Sequence, residues 1–211
     1  MIRNAMQLAH SSDGSLADQF WSRMHSSVRD QALAPQLQAA ADGARFGPWT
    51  ELVTEALVRT CRSLGWTCSA KVAGAKPLPV ERQEYLGIDV LAFPSRAGWR
   101  YPIAAIELEN SRRRDLIAYA LWKVCTVRAQ LAVLVCYQYE AVEVASLAAG
   151  LEEQVLRPLA PEVETLVIVG TRGSAGTYPD GYFQRLIWDR QLGQLVSGAR
   201  ALRVSKGTVK Q

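Results

Sequence analysis

The sequence predicts an α/β protein: a mixed central β-sheet flanked by helices, with an N-terminal helical arm over residues 1–45 and the main domain over residues 46–211. Three observations carry this. Near-continuous apolar segments such as Leu131 to Tyr137 alternate with helical ones, the pattern of strands covered on both faces. Pro94, Ser95 and Gly98 form a hairpin-like turn between two early strands, so the sheet is mixed rather than purely parallel. A chain of 211 residues, 49% hydrophobic and 21% charged, can bury a core without a disulfide or zinc staple.

The elements follow in order. Leu16, Phe20, Met24 and Val28 recur at helical spacing, predicting an amphipathic helix from Ser15 to Leu33 on the outside of the core. Gly43 to Pro48 reads as a linker. Pro48 then opens a helix over roughly Trp49 to Leu64, which Gly65 ends. On it Glu51 and Glu55 share a face, four residues apart. Three strand-like segments come next: Trp66 to Val72, Tyr85 to Phe93 and Tyr101 to Glu109. A helix from about Ser111 to Val127 precedes the apolar strand Leu131 to Tyr137. Ala141 to Leu156 reads as a helix ended by Pro158, Glu164 to Val169 as a buried strand, and Phe183 to Asp189 as a last edge strand.

Composition excludes several classes. Ordinary hydrophobicity and a net charge of +4 argue against disorder. The apolar runs fall far short of the ~18 residues of a spanning helix. No signal peptide is read at Met1 to Met6. Cys61, Cys68, Cys125 and Cys136 form no C-x-x-C pair and have only His10 and His25 to join them, which argues against zinc. Cys125 and Cys136 read as small core residues, and reduced thiols point to a cytoplasmic protein. An isoelectric point of about 9.0 hints at a polyanionic partner. The phosphate loop G-x-x-x-x-G-K-[ST], the dinucleotide G-x-G-x-x-G and the serine elbow G-x-S-x-G are all missing.

The acids carry the chemistry. Alternation along Ile103 to Glu109 puts Ala105, Glu107 and Glu109 on one face and Ile106 and Leu108 on the other. Asp89 interrupts the apolar run Ile88-Asp89-Val90-Leu91 in the preceding strand segment, so neighbouring strands would bring it opposite Glu107. Carboxylates in a buried strand are costly unless paired, and a divalent cation is one way to pair them. Taken singly, each glutamate also reads as a solvated strand end, and Asp89 as a turn cap after Gly87. Arg112, Arg113 and Arg114 fall in the first turn of a helix capped by Asn110 or Ser111, where the dipole disfavours cations. They make sense there against phosphates, or as a solvated basic turn. Lys123 shares a stripe with Leu116, Tyr119 and Val127; it either snorkels to solvent or reaches the acids. Trp122 reads as core, and Trp99 beside Arg100 as a weak stacking candidate.

The residues Gly87-Ile88-Asp89-Val90 and Ala105-Ile106-Glu107-Leu108-Glu109-Asn110, with 17 residues between Asp89 and Glu107 and in an αβββαβ order, resemble the PD-(D/E)XK nuclease superfamily. The resemblance covers roughly Trp49 to Val169 and is to a Glu-x-Glu variant of the restriction-endonuclease-like core. It implies a metal-dependent endonuclease acting on DNA, with Asp89 and Glu107 as ligands of Mg²⁺, or Mn²⁺ in its place. Glu109 stands where the family usually carries lysine. The resemblance lets either Glu109 or a lysine migrated to Lys123 fill that role. Glu55, or Glu51, resembles the helical acid of some members, with Glu55 the deeper in its helix.

Phosphodiester hydrolysis suits this set on chemical grounds, since a carboxylate-bound cation activates water and arginines clamp the backbone. The competing expectations are a catalytically inactive nuclease-like fold, binding nucleic acid or protein, and a glycosidase. The latter needs two carboxyls ~5–9.5 Å apart across a cleft, and only 8% of the residues are aromatic. Two-strand cutting favours a homodimer. Partner proteins of a defence system or mobile element fit the same reading; a membrane does not.

Overall fold

A computed structural model describes residues 14–43, 46–73 and 76–197. Met1 to Met6, His10, the rest of residues 1–13, part of the expected linker and everything after Ser197 lie outside the described residues. The described chain is α/β: a seven-stranded mixed sheet flanked by helices, with strands β1 (Trp66–Ser69), β2 (Val90–Pro94), β3 (Ala104–Glu109), β4 (Leu131–Gln138), β5 (Glu164–Thr171), β6 (Phe183–Asp189) and β7 (Gln194–Ser197) in spatial order 1 to 7. β3, β4 and β5 run parallel; every other neighbouring pair is antiparallel. Among the described residues no helix is long and apolar enough to cross a membrane.

Strand alternation divides the core into two layers. Ala104, Ile106, Val133, Val135 and Ile168 face one side, with α1 (Leu16–Ser27), α2 (Ala34–Asp42) and α3 (Phe46–Ser63). Ala105, Ala132, Leu134 and Val167 face the other, with α4 (Arg114–Thr126) and α5 (Val142–Leu151). The physical reason is handedness. β3-α4-β4 and β4-α5-β5 step in the same direction across the sheet, so crossovers of one hand put α4 and α5 on one face. The other face is left to the N-terminal helices. These are tied down by the Ala17 N–H donating to Glu164 (3.0 Å), Arg185 pairing with Asp18 (2.6 Å) and the Tyr178 hydroxyl donating to the Val28 carbonyl (2.7 Å).

Several boundaries differ from the sequence expectation. The first helix stops at Ser27 rather than Leu33, because the Asp30 carboxylate accepts the Ala32 N–H (3.0 Å) and a local turn wins over helix. A second helix then starts beside Pro35. α3 begins at Phe46, ahead of Pro48, whose missing N–H still falls among the orphan donors of the first turn. α5 widens into a π-helical turn over Glu152–Leu156, where Glu152 accepts the Leu195 N–H (2.8 Å), and α6 (Arg157–Leu159) carries the helix through Pro158. β6 is not the edge, since β7 pairs with it. Trp122 is exposed rather than core.

Gly170 in β5 has a packing reason. A Cβ there would lie 2.6 Å from Tyr137 and 2.9 Å from Tyr182, inside the aromatic cluster around Trp49. Gly170→Ala is expected to destabilise the fold by about 1–3 kcal/mol through overpacking. Denaturant melts with an unchanged midpoint would show that the rings can move aside.

Candidate functional site

The site begins with strand register. Val90 pairs with Ile106 across antiparallel β2 and β3, so Asp89, one residue before β2, falls opposite Glu107. The two interlock through the backbone. The Asp89 N–H donates to Glu107 Oε1 (3.2 Å), and the Leu108 N–H donates to Asp89 Oδ2 (2.9 Å). Both acids lie on the face covered by α4, in step with the alternation of Leu91 and Ala105.

Lys123 reaches them from above. α4 buries Ile117, Ala120, Leu121 and Val124, which sets Lys123 on its flank over the start of β2. Lys123 Nζ pairs with Glu107 Oε2 (2.8 Å) and donates to the Gly87 carbonyl (2.9 Å). That carbonyl is presented by a tight turn, closed by the Ile88 N–H on the Tyr85 carbonyl (3.1 Å). Its two central residues, Leu86 and Gly87, have φ of +59° and +63°, values that suit Gly87 and strain Leu86.

Glu107 is only 7% exposed. Burial, and then the neighbouring charge of Asp89, push its carboxyl up to about 7, against the opposing hydrogen bond and charge of Lys123. The site is therefore a buried glutamate beside a half-buried aspartate, the two carboxylates sharing one ammonium.

The other expected residues sit elsewhere. Glu109 does not turn into the pair: its Oε1 accepts the Ser111 N–H (2.7 Å), closing the loop after β3. Its charge is felt instead by Cys136, its register partner on β4, whose thiol is raised mainly by burial and further by Glu109. Glu55 lies on α3, in the opposite layer, held by Arg59 (2.6 and 3.0 Å), which also binds Asp30 (2.9 Å). Glu51 is exposed on the same helix. Among the described residues no three carboxylate, imidazole or thiol groups gather as a complete metal site.

The arginines differ from expectation in detail. The helix starts later, so Arg113 is its N-cap, Arg114 its first residue, and Arg112 precedes it in the loop. All three are exposed. Arg113 is paired with Asp115 (2.5 Å), and Arg114 donates to Ser146 (2.9 Å). Arg112 and Arg114 help to hold the Glu143 carboxyl low, after the backbone N–H groups of Glu140 and Tyr139. Arg172, which sequence reasoning did not single out, joins this end of the sheet by donating to the Asn110 carbonyl (3.0 Å). Its only signal was position, immediately after the buried strand β5. No protein-family model, curated protein or solved structure matches the chain.

Proposed function

We propose that the protein is a metal-dependent endonuclease of the PD-(D/E)XK type, hydrolysing phosphodiester bonds in DNA. The observation that carries this reading is the meeting of Asp89, Glu107 and Lys123 from two strands and a helix. The donor set fits the cation. Mg²⁺ takes one or two carboxylates and fills its remaining positions with water and phosphate oxygens, and the Asp89–Glu107 pair lacks full compensation for its charge. Bound there, Mg²⁺ or Mn²⁺ would polarise the phosphate and lower the pKa of a water.

The chain's own groups do the rest. Glu107 gives up its proton on becoming a ligand, so metal affinity rises with pH up to about 7. Lys123, held by the Gly87 carbonyl, keeps its ammonium beside the carboxylates, where it stabilises negative charge developing on a phosphate. The lysine role thus falls to Lys123, since Glu109 is engaged by the Ser111 N–H. The test is plasmid nicking by the purified protein in Mg²⁺, Mn²⁺ and EDTA, with calorimetric titration of the metal. Nicking in either metal that EDTA stops supports the reading. Absence of both nicking and metal uptake would favour the inactive, binding-only alternative, which the diversion of Glu109 makes the specific rival.

Arg112 and Arg114 form the basic edge beside the end of β3. Replacing both by Gln is expected to weaken DNA binding and lower the slope of log K against log salt by about 1 per arginine. Arg113→Gln is expected to change the slope less, because Asp115 already neutralises that side chain. A slope untouched by the double variant would take these residues off the phosphate path.

A further inference from the structure

We infer that the pocket next to Lys123 is a base-binding subsite, holding one unstacked nucleobase of a single-stranded or frayed DNA end. This rests on the endonuclease reading and specifies its substrate class. The pocket encloses about 360 Å³, within the range of small-ligand sites. Leu86, Ile88, Tyr101, Pro102 and Val127 wall it. Lys123 belongs both to this wall and to the Glu107 ion pair, so the pocket opens beside the carboxylates.

Three features suit a base. First, Tyr101 is 61% exposed, and Arg128 pins it: the guanidinium carbon lies 4.1 Å from the ring centroid, and Nη1 donates to the hydroxyl at 2.9 Å. A fixed exposed ring loses little freedom when a base stacks on it. Second, Leu86 is 76% exposed and held at positive φ. It contributes little to the core, and Asn or Gly would adopt its backbone more readily. An apolar side chain strained at the mouth of a pocket serves as a wedge against a neighbouring base step. Third, the lining carries the cations Lys123 and Arg128 and no acid, matching a base flanked by phosphates.

The test is equilibrium binding of full-length protein to a short single strand carrying 2-aminopurine, to the same strand with an abasic site there, and to a blunt duplex, all in Ca²⁺. The base-containing strand is expected to bind about tenfold tighter than its abasic counterpart, with 2-aminopurine emission quenched by stacking. Tyr101→Ala and Leu86→Asn are each expected to cut that preference severalfold. Leu86→Asn relieves backbone strain, so it is expected to melt no lower than wild type, and its effect cannot be put down to misfolding. Equal affinity for the base-containing and abasic strands, or a preference unchanged in both variants, overturns the subsite while leaving metal-dependent nicking intact. Binding to duplex alone overturns it too. Failure of every DNA to bind, with no nicking, overturns the endonuclease reading and the subsite together.

Discussion

Glu107→Gln is expected to abolish metal-dependent nicking and, in the same protein, to raise the melting temperature at pH 8. Both effects follow from one geometry. The activity loss follows from removing a hard anionic ligand from a two-carboxylate set. A cation that supplies several kcal/mol of transition-state stabilisation leaves a fall of more than about 10³-fold when it is lost. The stability gain follows from the raised carboxyl. Glu107 titrates near 7 in the folded chain, against 4.5 ordinarily, so the native state holds this proton more tightly than the unfolded state between those values. Its favourable contribution is complete below about 4.5 and is lost as pH rises through 7. Gln mimics the protonated form at every pH. The difference in melting temperature between variant and wild type, measured in EDTA, should therefore widen in the variant's favour from pH 5 to pH 8, at roughly 2–4 °C for each kcal/mol. Asp89→Asn tests the same ligand set from the other strand. Undiminished nicking in both variants would sink the endonuclease assignment, and a melting difference that ignores pH would show that Glu107 is already ionised in the native state.

Lys123→Ala is the second large effect: turnover is expected to fall about 10²-fold, while DNA affinity falls much less. One positioned donor at developing charge is worth roughly 10²–10³ in rate, whereas one ammonium contributes a single counterion's worth of binding. A second readout separates this from a structural role. The hydrogen bond and charge of Lys123 pull the Glu107 carboxyl down, so their removal pushes it above 7. The acidic limb of the rate profile should move upward with it. Wild-type turnover with that limb shifted would leave Lys123 as an ion-pair partner alone.

Local signals read well from the chain. Near-continuous apolar runs placed β4 and β5, Gly65 marked the end of α3, where it takes φ of +75°, and alternation along Ile103 to Glu109 marked the faces of β3. The same alternation put Glu107 on one face and Ile106 on the other, and the short loop between β2 and β3 made them neighbours, with Asp89 opposite Glu107. One signal was present and passed over. Glu55 and Arg59 stand four apart on one helix, the spacing at which an ion pair forms, and they pair on α3, which packs on the sheet face opposite Asp89 and Glu107.

By itself, then, the sequence determined the layered α/β class and the convergence of Asp89 with Glu107, because periodicity and hairpin pairing act over short stretches of chain. The tertiary structure alone decided which group completes the pair. Glu109 and Lys123 are equivalent candidates on paper. In the fold, the Ser111 N–H two residues away captures the glutamate, while the path of α4 over β3 carries the lysine to Glu107. That choice depends on where α4 begins and on which backbone donors compete for each carboxylate. The path of α4 is set by packing across the sheet, whereas the Ser111 N–H is a local donor that the turn after β3 presents to Glu109.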